Sequence, residues 1–408
     1  MFLDLAWKNI CSQRRRSLVT VLLLLFATAI LVFSGAFMEG SHRQMIRSAV
    51  EIYPSYLQIT GNGYRDEPGV DRLVFDLAAL NNVLNAQSEV ALATSRYESF
   101  ALLVSDHQAL GALLAAVEPD KEAQVSRLKQ SLIRGEYLSN NDQNQVYLGR
   151  ELAQRLKVDV GSNLAFVGSG ADSSFAADRL HVKGIFQTGL FDFDNSSAFV
   201  NRTYIEPLMA LDNTASHVIV LPHNPDQVQD LARLLSQRLP PELGLEVRSW
   251  QETMSGLVEA MTVDSIFGYL TLSVLFLVIL FVITIYTLLA IMARTREIGI
   301  LRAIGSSQRQ IFTLLLLEGL ILTLAGVIPG GMLGGAFAWY FQENPFSFSA
   351  WEEQFKQYNL AVSTLPALFS LTQILRDMII MTLAALMAML VPLLRVTRLR
   401  PTEAMRHV

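Results

Sequence analysis

Asp192 and Asp194 come nearest, by type and spacing, to a site for chemistry in this chain. Two carboxylates at i and i+2 point the same way on a strand and could share a cation, although acidic pairs of this kind more often form a polar loop face. The six histidines, His42, His107, His181, His217, His223 and His407, are scattered without metal-ligand spacing. No His-Glu-x-x-His, Gly-x-Ser-x-Gly or Gly-x-x-x-x-Gly-Lys-Ser/Thr occurs, so the usual devices for activating water, presenting a nucleophile or cradling ATP phosphates are missing. The expectation is a chain that is not an enzyme and holds no metal or cofactor of its own. Glu318 stands apart as the one charge in the apolar run 311–341. An intramembrane carboxylate is costly and is a functional hypothesis by default. It lies about two turns from an arginine-rich loop, so the expected role is an ion pair with Arg294 or Arg309 that ties this loop to the span.

Hydropathy sets the elements that position these residues. The 408 residues are 51% hydrophobic and 17% charged, a membrane-like balance diluted by a polar region. Runs at 17–38, 263–293, 311–341 and 375–395 are expected to span, since crossing takes about 20 apolar residues. The first is too long for a signal-peptide core, and no small-x-small site follows it before Glu39. Lys8, Arg14, Arg15 and Arg16 precede the first span; Arg294, Arg296, Arg302 and Arg309 fill the central loop; Arg395, Arg398, Arg400 and Arg406 follow the last. All fall on one side of a membrane if both chain ends are cytoplasmic. Segment 39–262 then lies outside, and 342–374 forms a second external segment. The larger one holds 18 Lys/Arg against 28 Asp/Glu, net −10, which argues against nucleic acid as a partner. Cys11 is the single cysteine, so no internal disulfide is available.

Two helices should overhang the membrane. Ser249-Trp-Gln-Glu252 is a capping box, and no strong break separates Trp250 from Ala293, about 66 Å of helix. The first span continues through Met45 and Ile52 until Pro54 stops it. Their apolar faces, Met38/Met45/Ile52 and Trp250/Met254/Leu257/Met261, suit a two-helix stalk. Between them, strands are expected at 56–60, 145–149, 164–167, 181–186, 197–200 and 217–221, and helices at 76–85, 108–117, 150–156 and 226–238. The fold class is thus a membrane protein with four transmembrane helices, an extended helical stalk and a large α+β extracytoplasmic domain. Gly326, Gly330 and Gly334, with Gly331 and Gly335, mark close helix packing in the third span.

The central loop, 294–310, carries a more specific signal. Ile298, Leu301 and Ile304 recur at helical spacing among the arginines, an amphipathic helix for a cytoplasmic partner to hold. Arg294-Thr-Arg-Glu-Ile-Gly-Ile-Leu-Arg-Ala-Ile-Gly305 resembles the signature of the FtsX/MacB-type permease family of ABC transporters. Residues 5–18, which start in a cytoplasmic amphipathic segment at 1–16 and lead into the first span, resemble that family's N-terminal helix, and Pro401-Thr-Glu-Ala-Met-Arg406, in the tail 396–408, resembles its ending.

The resemblance implies a permease subunit of a bacterial inner membrane. Its coupling residues would be Arg294, Arg296, Glu297, Ile298, Leu301, Arg302, Ile304 and Gly305, docked on a cytoplasmic ATPase dimer that binds ATP and Mg. A second permease copy or homologue would complete the assembly, and motion would pass to the external domain by mechanotransmission. Tyr56–Thr60, Gly149–Ala153 and Gly184–Asp194 also resemble lipoprotein-releasing (Lol-type) permeases, whereas the coupling loop is more MacB-like. The Lol-type reading implies release of lipoprotein or another lipid-like cargo to a periplasmic lipoprotein carrier, with membrane lipids met at Phe33, Phe37, Met38, Met261 and Phe267. FtsX-like signalling or anchoring through an external partner, and MacB-like efflux, are the alternatives.

Overall fold

The computed structural model describes residues 2–293, 295–347 and 364–397. The chain forms two compact units: residues 44–260 make one, and the flanking described segments make the other. The N-terminal amphipathic run folds as α1 (Phe2–Ser12), and α2 follows as one helix from Arg14 to Val50. This is far longer than the ~20 residues a bilayer requires. The chain turns immediately after α2, as Pro54 demands.

The 44–260 unit has two lobes. In the first, β1 (Leu57–Gly61), α3 (Leu77–Asn85) and β2 (Val90–Val104) are completed much later in sequence. The second lobe is inserted: β3 (Ala109–Val117), α4 (Pro119–Val125), β4 (Leu132–Gly135), β5 (Gln145–Gly149), α5 (Arg150–Leu156), β6 (Asn163–Ser169), β7 (Phe175–Phe186), α6 (Phe191–Ser196), β8 (Ser197–Asn201) and α7 (Arg202–Ile205). The first lobe then resumes with β9 (His217–Pro222), α8 (Val228–Arg238) and β10 (Leu245–Ser249). Its order β10-β1-β9-β2, antiparallel throughout with α3 and α8 as crossovers, is the split βαβ arrangement. Val228, Leu231 and Leu235 form one face of α8 and bury against Leu57, Ile59, Val218 and Val220 of the sheet.

The inserted lobe closes on itself. β2 pairs with β3, β3 with β8, β8 with β5, β5 with β7, β7 with β6, and β6 returns to β2. A closed ring leaves no edges among these strands, and Phe166, Leu114, Leu148 and Val200 lie buried in its core. β2 serves both lobes, pairing with β9 at its start and with β3 and β6 at its end.

Segment 108–117 is therefore a strand, not the expected helix. Alanine and leucine favour helix intrinsically, but β3 lies between β2 and β8, and tertiary pairing overrides the propensity. Phe100 covers the missing side chain of Gly111.

A buried ionic joint lies at the start of this unit. Arg96 on β2 is fully buried and meets Glu122 through Nε and Nη2 at 2.9 and 2.7 Å. Its Nη1 donates to the Tyr53 carbonyl at 2.6 Å, and the guanidinium lies 3.8 Å above the Tyr53 ring. Burial opposes the arginine's charge, but Glu122 more than offsets this and holds its pKa above the ordinary value.

After β10 the capping box forms as expected, with the Ser249 N–H donating to Glu252 at 2.9 Å. It heads only a short helix, α9 (Trp250–Thr253), because Met254 leaves helical geometry (φ −121°, ψ 48°). The 44-residue continuous helix is corrected to this turn followed by α10 (Ser255–Met292). Ile46 and Val50 of α2 and Trp250, Met254, Leu257 and Val258 share one apolar cluster with the first lobe's sheet.

In the flanking unit, α11 (Thr295–Ala303) links α10 to α12 (Gln308–Glu343), and α13 (Leu371–Thr397) follows. α2, α10, α12 and α13 are each long and apolar enough to cross a membrane. The two glycine stripes of α12 receive different neighbours. Gly326, Gly330 and Gly334 face the backbone of α2 at Val21, Leu25 and Ala29, while Gly331 and Gly335 face Met378 and Ile374 of α13. α10 is apolar around its circumference yet buries little of it: Phe267, Leu277 and Phe281 are exposed.

Candidate functional sites in the membrane unit

The loop after α10 is built by two terminal motifs. Gly305 adopts φ +104°, a conformation that L side chains rarely take, and lets the chain leave α11. Gly305 N–H donates to the Arg302 carbonyl and Ser306 N–H to that of Leu301, a Schellman closure. Ser307 then caps α12, its N–H donating to Gln310 at 2.8 Å while Gln310 N–H donates back to its hydroxyl at 3.3 Å. The result is a short helix held between rigid ends. Gly305 thus acts through the backbone.

Glu297, Ile300 and Leu301 of α11 line a largely apolar groove of about 320 Å3 with Leu5 and Asn9 of α1 and Ile311 and Leu314 of α12. Ile304 is 78% exposed. Arg294 and the side chains of Arg296 and Ile298 lie outside the described residues, as do the 401–406 ending and residues 348–363 of segment 342–374.

Glu318 is buried, and its Oε1 accepts from Asn9 Nδ2 at 2.5 Å. This hydrogen bond ties the third span to the N-terminal helix, where α1 lies along the start of α12. Arg16 reinforces the same corner by donating to the Leu289 carbonyl at 2.6 Å.

The expected lipid-facing residues divide. Phe33 and Phe37 stack on each other (centroids 6.2 Å) and turn toward α12, with Phe341 5.6 Å from Phe33 and Phe346 5.6 Å from Phe37. Met38 instead faces Gly268 of α10, its sulfur where a Cβ would come within 2.8 Å. Met261 is half-buried and Phe267 is exposed. Met38 also lines a cavity of about 790 Å3 between α2, α10 and α13. Leu31, Leu272, Phe276 and Ile380 give it apolar walls; Glu39, Arg43, Gln373, Arg376 and Asp377 give it polar ones. Asp377 is buried, with Arg376 Nε 3.3 Å from its Oδ1.

Arg376 and Asp377 do not stand out in the sequence because they fall at the very start of the last apolar run, 375–395, where charges are ordinary. The available signal was spacing: Asp377 stands four and eight residues before Met381 and Ala385, both fully buried, so it shares their inward stripe.

The carboxylate pair in the other unit is not a matched pair. Residues 191–196 form α6, where positions two apart point in nearly opposite directions. Asp192 is exposed, whereas Asp194 is buried and accepts from Thr188 N–H, Thr188 Oγ1 and Gly189 N–H at 3.0, 2.7 and 3.0 Å. Burial raises its pKa despite these donors. Asp194 pins the 188–190 turn. Among the described residues no group of three or more His, Cys, Asp or Glu could hold a metal. Across the β2, β6 and β7 register, Phe100 and Phe175 flank Ser169 in one row, 76% and 89% exposed, with Leu102 beside them.

Residues 17–238 match the MacB-like periplasmic core domain, and residues 269–401 match the FtsX-like permease C-terminal family. The lipoprotein-releasing system transmembrane protein LolC of Xylella fastidiosa (strain 9a5c) is 27% identical over 337 residues, 78% of each chain. LolC of Neisseria meningitidis serogroup B is 24% identical over 254 residues, 57% of this chain and 59% of that one. Among solved structures, the periplasmic region of MacB from Actinobacillus actinomycetemcomitans gives a TM-score of 0.37 at 16% identity, covering 52% of this chain and 95% of that one. The extracellular domain of the noncanonic ABC-type transporter YknZ from Gram-positive bacteria gives 0.35 at 15%, covering 48% and 100%. The core-domain match alone spans more than half of the sequence, and the two matches together take in the spans, the external unit and the loop: the chain belongs to the FtsX/MacB-type family of ABC transporter permeases.

Proposed function

We propose that this permease releases lipoprotein or another lipid-like cargo from the outer leaflet of a bacterial inner membrane to a periplasmic carrier, driven by a separate ATPase dimer that binds ATP and Mg. The observation that carries this reading is the length and anchoring of α2 and α10. Each is far longer than a span, and Ile46, Val50, Leu257 and Val258 belong to the apolar cluster that also contains the first lobe's sheet. Displacing these helices therefore moves a sheet rather than a loose tether. The ATPase docks on the 294–305 segment around α11, with Arg294, Arg296, Glu297, Ile298, Leu301, Arg302 and Ile304 as its coupling residues. The family and the LolC relatives support the cargo class, and the exposed row of Phe100 and Phe175 is a surface suited to an apolar carrier. A second permease copy or homologue would bury the exposed face of α10.

Inserting two glycines after Met261 tests the reading. They turn one end of α10 against the other by about 200° and cost about 1 kcal/mol each in propensity. The expected outcome is normal assembly and ATPase activity with no cargo release; release at the normal rate refutes transmission through this helix. Glu297→Lys should weaken co-purification with the ATPase and its stimulation, because an attractive contact becomes repulsive. Unchanged binding and stimulation would remove Glu297 from the docking surface.

A further inference from the structure

We propose that the cavity between α2, α10 and α13 is a binding site for one phospholipid of the surrounding bilayer, a primary-ammonium zwitterion of the phosphatidylethanolamine type. The inference rests on the membrane reading of these helices and not on cargo release.

The chemistry of the walls selects the ligand. The apolar side, with Leu31, Phe276 and Ile380, suits an acyl chain. The polar side is balanced, with carboxylates Glu39 and Asp377 and guanidinium groups Arg43 and Arg376. A rim of one sign would favour a simple anion or cation; two of each sign match a headgroup that carries phosphate and ammonium together. About 790 Å3 is in the range of small-molecule sites, enough for a headgroup and part of one chain.

The existing pairs are free to change partners. Arg43 and Glu39 meet at 3.2 Å with about half of each side chain exposed, and such pairs contribute little. Asp377 differs. Its side chain is 10% exposed, and its ion pair runs to the adjacent Arg376, itself 65% exposed, at 3.3 Å. A desolvated carboxylate paired with an exposed neighbour gains from a further cationic donor. A primary ammonium supplies N–H donors that a quaternary one lacks. Gly35 also lines the cavity, and a Cβ there would stand 2.6 Å from Gln373 Nε2.

Delipidated full-length permease would be mixed with vesicles of phosphatidylethanolamine, phosphatidylcholine or phosphatidylglycerol, and retained lipid counted by native mass spectrometry. One phosphatidylethanolamine should be held, about tenfold more tightly than either alternative, the value of one charge-assisted hydrogen bond. Asp377→Asn, nearly isosteric, should abolish that preference, and Ser273→Trp should abolish retention by filling the cavity. Arg43→Gln, at a half-exposed position, removes a partner for the phosphate that all three lipids carry, so it should weaken retention of each while leaving the preference in place, and it serves if Asp377→Asn lowers the yield. Equal retention of the three lipids, or an unchanged preference in Asp377→Asn, overturns the proposal. Stoichiometric displacement by a diacylated lipopeptide also overturns it, by assigning the cavity to cargo. Loss of cargo release with lipid retention intact would instead count against the proposed function alone.

Discussion

Gly330→Ala probes a close contact between the backbones of two helices in the membrane unit. A Cβ at this position would lie 2.5 Å from the Leu25 carbonyl oxygen, 2.9 Å from Thr28 Cβ and 3.0 Å from Leu25 Cα. Ordinary contact begins near 3.4 Å, so α2 must retreat by about 0.9 Å to restore a van der Waals separation. The obstacle is mainly backbone, which no rotamer change can relieve. Overpacking of this kind costs about 1–3 kcal/mol, reduced by up to about 1 kcal/mol as alanine improves helix propensity over glycine. Gly335→Ala is the internal control, since its Cβ meets only Ile374 Cδ1 at 3.0 Å, the far end of a side chain that can rotate. The assay is thermal unfolding of the purified chain in one detergent, where each kcal/mol should shift the midpoint by about 2–4 °C. Gly330→Ala should melt lower than wild type, and Gly335→Ala at or slightly above it. Equal midpoints for the two variants would refute the assignment of the 326/330/334 stripe to α2.

Glu122→Gln leaves the buried Arg96 charge without its carboxylate and should cost about 3–5 kcal/mol in denaturant unfolding, whereas Arg96→Met with Glu122→Leu should cost clearly less; equal losses would refute the reading of a buried pair. His217 is buried, and burial holds its pKa below the ordinary value, with Glu98 at 3.6 Å opposing and Arg96 and Arg65 assisting the shift. The unfolded chain therefore takes up this proton first, so stability is full above about pH 6.5 and falls as pH drops through the lower folded value. His217→Gln should flatten that part of the profile; an unchanged slope would show that other groups carry it.

Much of this architecture was legible because local rules and tertiary structure agree. The capping box at Ser249 and Glu252 forms as written, and the four-residue spacing of Gly326, Gly330 and Gly334 meets one neighbour while Gly331 and Gly335 meet another. Reading failed where the deciding information was not local. Ala109–Val117 is composed like a helix and is a strand because β2 and β8 flank it. Asp194 reads as a surface carboxylate and is an interior clamp because α6 turns it toward Thr188 and Gly189. Glu318 was recognisable as unusual, yet its partner Asn9 stands more than three hundred residues away in the chain. Asp377 was not legible as an inward-facing residue because hydropathy measures a segment's mean and not the direction in which one residue faces.

The pairing of β1 with β10 has a consequence for biogenesis. Leu57 and Ser249 are register partners, yet they stand near the first and last residues of the external unit. Synthesis must therefore pass the whole inserted lobe before the first strand gains either neighbour, β9 or β10, and one edge of β1 stays open to wrong pairing until β10 follows. The strand that covers it is followed almost at once by α10. Closure of the sheet and insertion of the second span thus fall in the same interval of synthesis. A chain stalled just before Leu245 would display an unpaired strand on the far side of the membrane, the form in which a quality-control protease could recognise an unfinished permease.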